Sequence, residues 1–358
     1  MLVLSCLMGA IICLDFFFRQ ISRQNHTKYY CVTMFMAFTF VMGFRSRYTA
    51  GVDTDLVYIP GFQRLTHMPL SDVLDTYFFK EPLFYVGTKL LTYFTRDYRL
   101  YLFVISVIVV ASVCIFVYRY SPYPVMSFVL FCSLGYFGIE CQMLRHALAV
   151  SVLLFSFPYI EQRDPLKFFT LVIVASGFHS SAIVFALAYV TPYLKVGWKQ
   201  WIGCAALVGA CFAFHNQVSM AVNAFLLQSG RFSSNASSYV QAGGMGLGGM
   251  ITAIAIWIAS QLLMRADHKG NPMNNVLFNM GVLAIVFLSM TSIIGEFHRI
   301  GMFFGMSFVL LLPRAFKYCN IDDPRIIYGM ALFVMVAYFF LIGVHNNLIA
   351  DFDFFWNE

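Results

Sequence analysis

The chain has 358 residues, of which 60% are hydrophobic and only 11% charged, with a formal net charge of +6 and a mean hydropathy of +0.75. Soluble domains carry roughly 25% charged and about 45–50% apolar residues, so a water-soluble enzyme, a nucleic-acid-binding domain and a disordered protein are excluded. No basic stretch is long enough to track a phosphate backbone. The composition is that of a polytopic membrane protein.

Apolar runs of about 20 residues span a bilayer as helices, and these runs can be read in chain order. The first covers 1–18. No basic residue precedes Leu2 to Phe18 and no small-residue cleavage site follows, so it reads as a membrane helix rather than a cleaved leader. Arg19, Arg23 and Lys28 come after it, placing that loop in the cytoplasm and the N-terminus outside. A second helix is predicted over 29–44, then a large outer loop over 45–97. That loop holds surface helices near 69–79 and from Pro82 to Phe94, the latter patterned to lie along the interface.

Helices follow over 98–118, 122–139 and 143–160. The stretch 166–194 breaks at Ser176-Gly177-Phe178-His179 and reads as a hairpin of two short helices meeting near His179. After a helix over 198–214 comes a second large outer loop, 215–246, ending in Gly243-Gly244-Met245-Gly246-Leu247-Gly248-Gly249. That run lacks the Lys-Ser/Thr of a phosphate loop and reads as a hinge at a helix start. The last helices are predicted over 247–264, 274–291, 299–313 and 326–344. The result is an all-α integral membrane protein, a single transmembrane domain over 1–358 with about twelve segments and both termini outside. Most lysines and arginines of the short loops then lie on the cytoplasmic side, as the positive-inside rule requires. The nine cysteines are scattered through apolar runs without a C-x-x-C and act as small hydrophobes.

In this topology the unusual polar residues gather on the outer side. Arg45, Arg47, Asp53 and Asp55 follow the second helix; Glu140, Arg145 and His146 surround a later turn. His179 stands at the hairpin break, Arg231 in the second large loop, and Glu296, His298 and Arg299 at the start of a late helix. Ionisable groups at membrane depth are costly and point to function. Each also has a plain structural reading. Arg45 and Arg47 can snorkel at a helix end, and Asp53-Thr54-Asp55 can form a turn or cap. Glu140 can pair with Arg145, His179 can be a satisfied core histidine, and Glu296 with Arg299 can be an i, i+3 pair. Asp53 and Asp55 lack a third ligand, so no metal is expected, and no other cofactor.

Soluble nucleotides do not reach this side of the membrane, so a reaction here needs a donor already activated on a lipid. A lipid-linked pyrophosphate sugar meets that need. Arginines would hold the pyrophosphate and stabilise its leaving charge, while a carboxylate or histidine deprotonates the attacking hydroxyl.

Four motifs carry a family resemblance. Arg47-(x)3-Gly51-Val52-Asp53-Thr54-Asp55-(x)2-Tyr58-(x)3-Phe62 resembles the R…GxDxxxY…F signature of the EpsG-like, Wzy-type polysaccharide polymerases. Leu144-Arg145-His146-Ala147-Leu148-Ala149 is similar to their LRQ-x-LA helix, Phe178-His179-Ser180-Ser181-Ala182 to their FHxSA motif, and Glu296-Phe297-His298-Arg299 to an ER-containing helix start. His146 replaces the usual Gln, and the end, Asp351-Phe352-Asp353-Phe354-Phe355-Trp356, lacks the common Pro-Tyr.

The resemblance implies a glycosyltransferase-C-like frame in the bacterial cytoplasmic membrane, with its active site facing outward. Such an enzyme joins undecaprenyl-pyrophosphate-linked repeat units, one as donor and one as acceptor, and releases undecaprenyl pyrophosphate. A chain-length regulator would be a further partner. Carried over, Arg47, Arg145 and Arg299 contact pyrophosphate and glycan phosphate, with Arg45, Tyr58, His146, Arg231 and His298 beside the substrate. Asp53 or Asp55 is the first choice of catalytic base, then His179 and Glu296. A transporter or flippase of the same lipid-linked sugar would need a mid-membrane pocket and internal repeats. An acyltransferase would need a paired Asp-His arrangement. Neither is visible in the sequence.

Overall fold

Proline and glycine punctuate the apolar runs and fix where several of the helices start or end. The computed structural model describes residues 2–21, 24–49, 53–218, 220–221, 247–291, 293, 295–319, 324–343 and 352–357. In chain order the described helices are α1 (Leu2–Ile21), α2 (His26–Gly43), α3 (Ile59–His67), α4 (Leu70–Tyr77), α5 (Pro82–Thr92) and α6 (Tyr98–Tyr120). Then come α7 (Pro124–Ser133), α8 (Tyr136–Gln142), α9 (Leu144–Leu154), α10 (Phe157–Glu161), α11 (Pro165–Phe178) and α12 (Trp198–Ala213). The last are α13 (Leu247–Leu263), α14 (Ala266–Lys269), α15 (Pro272–Met290), α16 (Phe297–Gly305), α17 (Phe308–Lys317) and α18 (Pro324–Tyr338). α5, α7, α11, α15 and α18 each begin at a proline, whose fixed φ and missing N–H suit the first helical turn. Among the described residues there is no β-strand, only the isolated bridges Arg45–Phe354 and Met264–Cys319.

Among the described residues, four helical runs are long and apolar enough to cross a bilayer: Leu2–Ile21, Tyr98–Tyr120, Pro272–Met290 and Phe297–Lys317. A fifth follows if α7 and α8, bent by 58°, form one broken span. Shorter apolar helices, α9 and α11 among them, fall below that length. The protein is thus an all-α membrane protein, as its composition requires.

Several boundaries differ from the sequence reading. The single helix expected over 122–139 is two, because Gly135 takes the left-handed conformation (φ 81°) and closes α7, its N–H bonding to Cys132 O at 3.0 Å. The helix expected over 143–160 divides into α9 and α10, and that over 299–313 into α16 and α17. The first large loop contains a π-helical turn, Thr54–Tyr58, running into α3, besides α4 and α5, which fall where two helices are expected. The break expected near His179 within 166–194 is present: α11 ends there and a 3-10 segment, Ser180–Tyr193, follows.

The described residues group into two compact units. The first comprises Met1–Tyr159, Asp164–Ile183 and Asp323–Glu358. Its core forms where α2 packs on α6 and where Phe38 meets Phe128, Phe131 and Phe137 at centroid distances of 5.1–5.9 Å. α9 packs against both α6 and α11, and α5 against α3 and α11. The C-terminal segment joins this unit through Ser46 N–H to Asp353 O (2.8 Å) and Asp353 N–H to Thr49 Oγ1 (3.0 Å). The second unit, Ile160–Arg163 and Val184–Asp322, is built on α13, α15, α16 and α17. There Trp257 donates to Phe278 O at 3.0 Å, and a Cβ at Gly281 would stand 2.9 Å from the Trp257 ring.

Arg45 is among the largest fully buried side chains of the described residues, only 1% exposed. Its guanidinium donates to Met42 O at the end of α2 and to Cys141 O near the end of α8, the latter at 2.8 Å. A cation at helix C-termini satisfies carbonyls that have no partner within their own helix. Arg45→Met would leave those carbonyls unpaired, and we expect a loss of about 1–3 kcal/mol of stability. A lowered melting midpoint of the purified protein in detergent checks this.

Candidate active site

Three segments far apart in sequence meet at one carboxylate. Glu81 ends the loop before α5, Arg145 opens α9, and His179 caps α11. Arg145 Nη1 donates to Glu81 Oε2 at 2.7 Å. The other oxygen, Oε1, lies 2.6 Å from His179 Nδ1 and accepts the Ser180 backbone N–H at 3.1 Å. An ionised carboxylate only accepts, so Nδ1 carries the proton in this pair and the ring's Nε2 is left as the basic nitrogen.

Local structure explains the meeting. α11 ends at Ser176-Gly177-Phe178, and a Cβ on Gly177 would come within 2.7 Å of Leu83. Only glycine allows α5 to approach α11 this closely, and that approach carries Glu81 to His179. Glu81 itself has φ 59° and ψ 56°, a left-handed conformation that costs a side-chain-bearing residue on the order of 1–3 kcal/mol. The three hydrogen bonds to its carboxylate hold it there.

Burial alone would raise the Glu81 carboxyl. The His179 hydrogen bond, the Arg145 charge and the Ser180 N–H outweigh it and hold the group down to about 2. This depressed value stabilises the fold fully above the ordinary 4.5, and the contribution disappears as pH falls toward 2. We therefore expect the melting midpoint to drop between those values, and to drop less in Glu81→Gln. Thermal unfolding across that pH range tests it.

Beside the carboxylate is a cavity of about 200 Å³ lined by Tyr58, Tyr77, Tyr85, Arg64 and Arg145, among others. Tyr77 and Tyr85 stack with centroids 3.7 Å apart, and the Arg145 guanidinium sits 5.9 Å from the Tyr58 ring centre. Burial pushes the Tyr58 phenol up, against the pull of the Arg145 charge. Phenol rings and a guanidinium with donors beyond the one given to Glu81 can bind a sugar face and a phosphate together.

Of the residues singled out in the sequence, Tyr58, Arg145 and His179 are brought together here. His146 is close by, 1% exposed, its ring centre 5.9 Å from that of His179. Arg145 pairs with Glu81 rather than with Glu140, which is 2% exposed and has its Oε2 without a hydrogen-bond partner. Arg45 is committed to backbone carbonyls, as described above. Arg47 binds Asp55 Oδ1 at 3.3 Å and lies 5.2 Å from the Tyr98 ring centre. Asp53 stands at the N-cap of the π turn without a side-chain capping bond. In the second unit Arg299 Nη1 meets Glu296 Oε2 at 2.7 Å, the same-face pair weighed from the sequence, with His298 between them. Arg231 and Gly243 to Gly246 lie outside the described residues.

Glu81 was not singled out in the sequence. It sits in Lys80-Glu81-Pro82, which reads as an ordinary charged turn before a proline-initiated helix. Its signal was indirect: two membrane-depth cations or bases, Arg145 and His179, each needed a partner.

Comparison with known proteins agrees with the motifs. The EpsG family model matches residues 28–355. No curated protein and no solved structure matches the chain.

Proposed function

Because the chain belongs to the EpsG family, a family of polysaccharide-polymerase-like membrane proteins, we propose that the Glu81 site joins lipid-pyrophosphate-linked glycans. The observation that carries this reading is the single carboxylate shared by Arg145 and His179. In the reaction, a hydroxyl of the acceptor sugar attacks the anomeric carbon of the donor glycan. The bond from that carbon to the pyrophosphate oxygen breaks, and undecaprenyl pyrophosphate leaves with the electron pair.

Each group has a task. His179 Nε2 takes the hydroxyl proton as oxygen attacks, and Glu81 holds the Nδ1–H and stabilises the imidazolium. Arg145 meets the negative charge growing on the pyrophosphate, and its charge is permanent, so this step needs no metal. Tyr58, Tyr77 and Tyr85 hold a sugar in the adjoining cavity. Asp55, tied to Arg47, is a weaker choice of base than His179. The same reading keeps about twelve crossings with both termini and the two large loops outside the bacterial cytoplasmic membrane. A chain-length regulator is a partner on that side.

The test is reconstitution with the undecaprenyl-pyrophosphate-linked repeat unit and a chelator, products being separated on a gel. We expect a ladder without added nucleotide. His179→Asn should slow it by roughly 10²–10⁴-fold, and Arg145→Ala by roughly 10²–10³-fold, with the protein still folded in the membrane. Absence of a ladder together with movement of the lipid-linked unit between leaflets would replace this reading with a transporter.

A further inference from the structure

A long apolar groove runs beside the polar site. It has a volume of about 780 Å³ and is walled by α5, α6, α9 and α11. One end lies at the active site. Leu83 of its lining is two residues from Glu81, Phe178 directly precedes His179, and Leu148 is less than one turn beyond Arg145. Phe84, Thr88 and Tyr101 line both this groove and the tyrosine cavity, so the two spaces share a wall. The other end lies at Ile115 and Phe155. Along α6 the lining runs from Tyr101 to Ile115, ~21 Å at the helical rise, against a hydrocarbon core of about 30 Å.

The lining makes few polar demands. Ser112 and Ser151 donate to Val109 O (2.7 Å) and Ala147 O (2.8 Å), carbonyls of their own helices. Gly87 lines the groove, and a Cβ there would meet nothing within 4 Å.

We propose that this groove holds the isoprenoid tail of the donor, with its pyrophosphate at Arg145. The inference rests on the polymerase reading above. Two features choose this occupant. The head group at the mouth must be strongly anionic to match a guanidinium, and the chain behind it must be wholly apolar. The chemistry then says which of the two substrates it is. The bond that breaks joins the donor glycan to its pyrophosphate, so the donor's lipid must begin at Arg145. The acceptor reacts at a sugar hydroxyl separated from its own lipid by a whole repeat unit. Seating the tail therefore fixes which chain gives up its carrier.

Two measurements test this. In the first, photoreactive undecaprenyl pyrophosphate with a diazirine in its tail is cross-linked to the full-length protein in phosphatidylglycerol nanodiscs. Labelling is expected on Leu90, Ile108 and Val152, and is expected to be competed by undecaprenyl pyrophosphate. Labelling elsewhere, or a phospholipid probe labelling the same residues equally, overturns the proposal even if the protein polymerises. In the second, donors carrying an undecaprenyl or a two-isoprene chain are compared. Wild type is expected to prefer the long chain, and Gly87→Phe to lower kcat/KM for it about tenfold, through KM, narrowing the gap between donors. A folded variant that keeps the wild-type gap contradicts the proposal. Cross-linking in the groove without any ladder from wild type would instead overturn the polymerase reading.

Discussion

The site depends on one carboxylate serving two partners. Glu81 is 9% exposed, and a charge so placed is tolerated only if its lone pairs are used. Arg145 uses one oxygen; His179 and the Ser180 N–H use the other. Each contact also fixes something chemical. The first orients a guanidinium toward the tyrosine cavity, and the second sets the tautomer of the imidazole. Removing the carboxylate would leave the arginine held less firmly and the histidine without a fixed proton. The left-handed backbone at Glu81 fits this account, because strain persists where surrounding bonds over-determine a residue.

The helices of the first unit are placed to make that meeting possible. Gly177 lets the start of α5 press against the end of α11, and packing of α9 on α11 brings Arg145 to the same place. Arg45 performs a different task with the same chemistry. It ties the ends of α2 and α8 by donating to their carbonyls, so two arginines near one another in character have separate roles. The π-helical turn Thr54–Tyr58 leaves irregular backbone beside the tyrosine cavity, which is where a membrane tolerates it.

Much of this was legible in the sequence. Composition alone placed the chain in the membrane class, the ionisable residues at membrane depth pointed to Arg145 and His179, and the family resemblance added Tyr58. The break at Ser176-Gly177-Phe178-His179 placed the histidine at a helix end correctly. What could not be read was pairing at long range. Glu81 lies 64 residues from Arg145 and 98 from His179, and helical periodicity carries no information across such distances. Nearness in sequence favoured Glu140 as the partner of Arg145, yet α8 and α9 are separate helices joined at Met143, and Glu140 is buried in the first. The bend at Gly135 was hidden for another reason. The residues on both sides are apolar, and only the backbone shows that this glycine ends a helix.

The most direct test of the account is a double-mutant cycle between Glu81→Gln and His179→Asn, read as the rate of glycan extension by reconstituted protein. If the carboxylate acts through the histidine, each single change removes the same function. The double variant should then be slower than His179→Asn only by the share that Glu81 exerts through Arg145, far less than the product of the two single losses, as for residues that work as a unit. Losses that multiply would mean that Glu81 and His179 act independently, and would contradict the shared-carboxylate account.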